Sequence, residues 1–174
     1  EALKKGRKQD KENLTEMLED MAHFYFNNAE YDASDKIYNE LLEIDDASLL
    51  PKVGIARNLN AREQYDQALA LLDECLKYDS DYEEIYRFRM QAYEGKKEYK
   101  KMIDEMITLY EKSENVNYLS EGRFLKDRKY AFAVIKQKIA AEDDDVLWRF
   151  ILASLYKTCH MYAEAVPLFG GLME

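Results

Sequence analysis

The chain has 174 residues, 47% of them hydrophobic and 13% aromatic, with a formal net charge of −10. So much apolar surface argues against disorder along the chain, and the acidic balance argues against nucleic-acid binding, which needs a basic stripe to neutralise phosphates. Glycine (6) and proline (2) are scarce, few segments alternate with the strand period of two, and no run approaches the ~20 apolar residues of a membrane span, so the reading is all-helical.

Residues 1–14, EALKKGRKQDKENL, are a basic lead-in carrying Lys4, Lys5, Arg7, Lys8 and Lys11. They read as a solvated helical segment, with the juxtamembrane stub of a protein anchored upstream as the alternative. The sequence shows neither an initiating Met nor a signal peptide, so the chain is expected to be a piece of a longer protein, its compartment left open.

From Thr15 onward amphipathic stretches alternate with breaks. Leu18, Met21, Ala22 and Tyr25 keep helical spacing, Asn27-Asn28 interrupt, and Ile37, Tyr38, Leu41 and Leu42 resume it. The second unit has Ile55, Ala56 and Leu59, then Tyr65, Ala68, Leu72, Cys75 and Leu76. The third runs Tyr86, Tyr93, a break at Gly95, then Tyr99, Met102, Met106 and Leu109; the fourth, Tyr118, Phe124, Tyr130, Ala133 and Ala140; the fifth, Trp148, Leu152, Ala153, Tyr156, Tyr162, Ala165 and Phe169. Each unit reads as an antiparallel helix hairpin, and the units span about 15–48, 49–82, 83–113, 114–145 and 146–174. Tyr31, Tyr65 and Tyr99 recur every 34 residues, and Tyr130 and Tyr162 follow at intervals of 31 and 32. The short step before Tyr130 is three residues under the period, almost one helical turn, so regularity is expected to fail there. Between units, IDDAS (44–48), YDSDY (78–82), SENVN (113–117) and EDDD (142–145) are expected to turn the chain and cap the next helix.

Chemistry-bearing constellations are thin. His23 and His160 fall in different units without metal-ligand spacing, Cys75 and Cys159 lie 84 residues apart and read as structural thiols, and no phosphate-binding glycine loop occurs. The stretch from Asp79 begins like a calcium loop but has Glu84 at the glycine position and Met90 at the bidentate glutamate position. No enzyme, no cofactor and no metal site is read.

Met21-Ala22, Tyr25, Tyr31, Ser34 and Tyr38, with Ile55-Ala56, Leu59, Tyr65, Ala68 and Leu72, and most completely Leu152-Ala153, Tyr156, Tyr162, Ala165 and Phe169, resemble the tetratricopeptide repeat. The likeness covers about residues 15–174. It departs at Arg89-Met90 and Met102 in unit three, and at Ser120-Glu121 and Gln137 in unit four. The resemblance implies an all-α, tetratricopeptide-like α-solenoid of about five antiparallel hairpins in a right-handed superhelix. Pro167 and Gly170-Gly171 stand where a polar capping helix would follow, so that end is expected to be truncated or buried against another molecule.

The resemblance also implies that the first helix of each hairpin lines a concave peptide groove. By phase, unit one would present His23, Phe26 and Asn27; unit two Val53, Arg57 and Asn60; unit three Arg87, Gln91 and Glu94. Unit four would add Tyr118, Gly122 and Lys126, and unit five Phe150, Ser154 and Lys157. Arg57, Arg87, Lys126 and Lys157 on one face suit an acidic peptide or a C-terminal carboxylate, with Phe26, Tyr118 and Phe150 as apolar anchors. A chaperone-tail carboxylate clamp is not expected, because Glu19, His23, Gly54, Glu84 and Phe88 occupy its positions. The function so implied is a non-catalytic protein-interaction scaffold that binds a peptide or protein segment. Two alternatives stay open: a self-assembling element that uses the C-terminal helix pair in a homo-oligomer, and a ligand-sensing regulatory domain of a larger protein.

Overall fold

The computed structural model describes residues 2–141 and 146–170, with side chains from Asp10 onward. The chain divides into two compact units, Glu1–Lys96 and Lys97–Glu174. Among the described residues there are helices and turns and no strand.

In the first unit α1 (Ala2–Asn27), α2 (Tyr31–Ile44), α3 (Leu49–Ala61), α4 (Tyr65–Leu76) and α5 (Glu83–Gly95) pack each on the next, and α3 also touches α5. The basic lead-in is the start of α1. The first hairpin closes over Leu18, Ala22, Ile37, Tyr38 and Leu41, the second over Val53, Ala56, Ala68, Leu72 and Cys75, which Ile85 and Phe88 of α5 then cover. Ala22, Ala56 and Ala68 are wholly buried because only a short side chain lets two helix backbones come this close. Gly54 marks a close approach: a Cβ there would lie 2.3 Å from Cζ of Tyr38. Met21, a packing position by phase, is 39% exposed on the outer side of α1.

The hairpin turns share one backbone device. Ala29, Glu63, Lys97 and His160 have φ near +60°, each two residues before Tyr31, Tyr65, Tyr99 or Tyr162. After Ala29, Glu63 and His160 the next N–H reaches back to the preceding helix, Glu30 to the Tyr25 carbonyl (2.9 Å), Gln64 to Leu59 (2.9 Å) and Met161 to Tyr156 (2.8 Å), satisfying carbonyls the helix end would orphan. The polar contacts repeat as well. Arg62 pairs with Asp32 and Asp35 of α2, and 34 residues on Lys96 pairs with Asp66 of α4. Ser34 donates to the Ala22 carbonyl at 2.9 Å, so one of the few buried polar side chains is satisfied.

The turns between hairpins meet the expected capping only in part. Neither Ser48 nor Tyr82, the residues before α3 and α5, makes a side-chain cap bond. Asp45 accepts from the Ala47 N–H (3.1 Å) and Asp79 from the Asp81 N–H (2.8 Å), whereas Asn115 caps the 3-10 turn Val116–Tyr118 that follows it, accepting from the Asn117 N–H (3.1 Å). A short Asp side chain two residues ahead of its donor closes its own turn. The EDDD stretch (142–145) lies outside the described residues, as does Gly171.

The second unit holds α6 (Tyr99–Ser113), a 3-10 turn at Val116–Tyr118, the one-turn α7 (Glu121–Phe124), a 3-10 turn at Leu125–Asp127, α8 (Arg128–Ala141), α9 (Val146–Thr158) and α10 (Tyr162–Gly170). Met102, Ile103, Met106, Leu109, Phe124, Ile135, Trp148 and Leu155 fill its interior, with Trp148 edge-on to Tyr110 at 5.4 Å. The expected first helix of unit four is absent as a regular element. One α-turn between two 3-10 turns takes its place and runs without a left-handed residue into α8, since Arg128 has φ −59°. The missing three residues before Tyr130 remove the hairpin turn itself. Ala133 and Ala140, expected on the apolar face, are consequently exposed.

Candidate functional site

The first unit brings four of the groove candidates together, Val53 and the three charged or titratable ones. His23 from α1, Arg57 from α3 and Arg87 from α5 line one cavity of about 320 Å³, with Tyr38, Leu50, Val53, Gly54, Tyr82, Glu84 and Phe88. Residues of α1, α3 and α5 meet here because α3 stands beside α5 and Gly54 leaves room for the Tyr38 ring to reach in from α2.

Arg57 is the organising group. Its guanidinium carbon lies 3.8 Å from the centroid of the Phe26 ring, so the planar cation rests on the aromatic face. Nη2 donates to the Tyr38 hydroxyl at 3.0 Å, while Nε is buried without a hydrogen-bond partner among the described residues. Burial lowers the Arg57 pKa from its ordinary value, and the Tyr38 charge and hydrogen bond oppose that. Burial raises the Tyr38 phenol, so it keeps its proton at neutral pH; having accepted from Arg57, it still has an O–H to donate. Burial, then the Arg57 charge, lower the His23 pKa.

Carboxylates temper the cationic character. Glu84 pairs with Arg87 at 3.6 Å, an exposed contact of little strength, and Glu19 and Glu84 both act on the nearby Tyr82 phenol, whose pKa is raised mainly by burial. Glu19 is itself shifted upward by burial and by Asp20 and Glu16. The site is therefore a mixed one: aromatic walls, one stacked arginine, one loosely paired arginine and acids at the edge.

The remaining candidates lie elsewhere. Phe26 supports Arg57 and packs on Tyr31 at 5.6 Å, and Asn27 is exposed at the end of α1. Asn60 is turned inward, donating to the Phe88 carbonyl at 2.8 Å, and Gln91 is exposed on α5. Tyr118 and Lys126 sit in the two 3-10 turns of the second unit, not on the first helix of a hairpin. Lys157 is exposed on α9; Phe150, 51% exposed, packs edge-on to Phe169 at 6.1 Å and lines a separate pocket of about 210 Å³ with Val116, Leu119, Glu121, Phe124, Leu147 and Ile151. Tyr38 and Tyr82 are site residues that the repeat phase misses. It assigns tyrosines to the scaffold, although a tyrosine that packs by its ring can still present its hydroxyl.

The arrangement is that of an all-helical repeat protein, and its fold is tetratricopeptide-like. The described chain is similar to MamA from Desulfovibrio magneticus RS-1, residues 41 to the end (TM-score 0.58, 10% identity, 91% of this chain and 93% of that one). It is likewise similar to TTC0263, a thermophilic TPR protein in Thermus thermophilus (TM-score 0.56, 18% identity, 91% and 90%). No protein-family model matches the sequence, and no curated protein matches it. No helix among the described residues is long and apolar enough to cross a membrane.

Proposed function

We propose that the chain is a non-catalytic interaction scaffold whose first unit anchors one acidic side chain, or a C-terminal carboxylate, of a protein or peptide partner. The observation that carries this reading is Arg57, a cation stacked on Phe26 with its Nε buried and without a hydrogen-bond partner among the described residues, beside a Tyr38 hydroxyl that retains a proton to donate. A cavity of about 320 Å³ fits a side chain better than a cofactor, at the bottom of the size range of small-molecule pockets. Arginine and tyrosine are the residues in which interface energy concentrates. Arg87 adds a second cation once it leaves its exposed pairing with Glu84.

The reading is tested by selecting a random-sequence displayed peptide library on the chain. Enriched peptides are expected to carry Asp, Glu or a free carboxyl terminus, and to lose binding to Arg57→Glu and to the double variant Arg57→Glu, Arg87→Glu. Selected peptides without an acidic group, or binding unchanged in the double variant, overturn it.

A further inference from the structure

The cavity that holds Arg57 has an acidic flank. A 34-residue translation puts Glu19 of α1 at the place of Val53 in α3 and Arg87 in α5, both of which line the cavity. Glu19 stands one helical turn before His23, another lining residue, on the same side of α1. Its charge acts on the phenols of Tyr38 in α2 and Tyr82 before α5, so it faces into the first unit.

Glu84 and Glu19 differ in what surrounds them. Glu84 has Arg87 at 3.6 Å. Glu19 is half-buried and pairs with no cation among the described residues; the charges that act on it are the acids Asp20 and Glu16, which together with burial raise its pKa. A half-buried carboxylate without a counter-charge is unfavourable, and a cation brought to it offsets that.

Glu19 also borders a second hollow, of about 450 Å³, with Lys11, Glu12, Thr15 and Glu16 of α1. The lysine there turns its ammonium to the Ile44 carbonyl at the end of α2 (3.3 Å). Glu12, Glu16 and Glu19 therefore set the sign of a space larger than the Arg57 cavity. A hollow suited to a cation and a cavity suited to an anion adjoin across Glu19.

We propose that the partner segment is bipolar: its carboxylate enters the Arg57 cavity while a lysine or arginine close to it in sequence passes Glu19 into the acidic hollow. This rests on the proposed function and adds the second charge that the segment must carry. The acids of α1 repel a segment made only of Asp and Glu, so the site selects for the pair of charges and against a plain acidic run.

The test takes peptides selected from the displayed library on the wild-type chain, resynthesises them, and measures their affinity by titration calorimetry for the wild type and Glu19→Gln. Enriched peptides are expected to carry Lys or Arg at a fixed separation from the acidic group. Replacing that base by Ala is expected to weaken binding to the wild type about three- to five-fold and to leave binding to Glu19→Gln unchanged. Glu19→Gln keeps the side-chain size, so its circular dichroism is expected to match the wild type; if it does not fold, Glu16→Gln, exposed on the same hollow, takes its place. A second selection on Glu19→Lys is expected to lose the base and enrich another acid. Peptides without an enriched base, or an equal loss from the base-to-Ala change in both proteins, overturn the proposal. Either result leaves the loss of binding in Arg57→Glu untouched, whereas peptides that still bind Arg57→Glu overturn the proposed function itself.

Discussion

The ring of Tyr38 lies so close over Gly54 that a Cβ on the glycine would sit 2.3 Å from Cζ and 2.5 Å from Cε2. Tyr38 is 1% exposed and its hydroxyl holds Arg57, so the ring has no free direction of retreat. The same contact thus sets helix spacing and positions the candidate anchor. Gly54→Ala is expected to destabilise the fold by about 1–3 kcal/mol, the range for overpacking a filled core. Gly95→Ala places its Cβ 2.2 Å from Cζ of Tyr65, but that ring is half-exposed and can swing outward. Urea unfolding of both variants should therefore show the larger loss for Gly54→Ala; equal losses would mean that Tyr38 moves as freely as Tyr65.

The left-handed residues give a stabilising prediction. Ala29, Glu63 and Lys97 adopt φ +60° without being glycine, at a cost of roughly 1–2 kcal/mol each from Cβ crowding. Glycine removes the crowding but loosens the unfolded chain, so Glu63→Gly is expected to gain about 0.5 kcal/mol net. The control is Ala70→Gly at an exposed position inside α4, expected to lose about 1 kcal/mol. Thermal unfolding that shifts both variants downward would show that the turn is not strained.

How much of this could be read from residues alone follows from what each signal measures. Helix phase reports which face of a helix is apolar, and it places Ala22, Ala56 and Ala68 in the core where the structure has them. It does not report rotamers, so Asn60, on the groove face by phase, could not be seen to bond the Phe88 carbonyl. The hairpin turns at Ala29, Glu63, Lys97 and His160 carry no glycine, so their left-handed geometry left no mark in composition, though their fixed place two residues before a tyrosine did. The three-residue deficit before Tyr130 located the irregular segment. Its form, with Tyr118 and Lys126 in 3-10 turns, depended on how Phe124 and the α6 methionines share the second unit's interior.

His23 gives a pH prediction. Burial and Arg57 hold its folded pKa below the ordinary 6.5, so the unfolded chain binds the proton first as pH falls. Its contribution to stability is therefore complete above about pH 6.5 and is lost as acidification passes through the window below it. Glu19, raised above 4.5 chiefly by burial, works in the opposite sense at lower pH. Urea unfolding at about pH 7.5 and 5.5 should show a smaller acid loss for His23→Gln than for the wild type. An NMR titration of the His23 ring is expected to fall below 6.5 in the free chain, and to move upward when a carboxylate-bearing peptide occupies the cavity.

Tyr130 supplies the last prediction, on the alkaline side. Its hydroxyl donates to Asp104 Oδ1 at 2.6 Å, and this bond, with burial and the Asp104 charge behind it, pushes the phenol from 10 up to about 12. The folded state thus favours the protonated phenol. The stabilisation is fully present below pH 10 and disappears as the pH rises from 10 to about 12. The pair is exposed, so Tyr130→Phe is expected to lose less than about 1 kcal/mol at neutral pH. Tyrosinate absorbance should show a component near pH 12 that is missing in Tyr130→Phe and moves toward 10 in Asp104→Asn, which keeps an acceptor but removes the charge. If the component persists in Asp104→Asn at its original position, the carboxylate is not what holds the phenol proton.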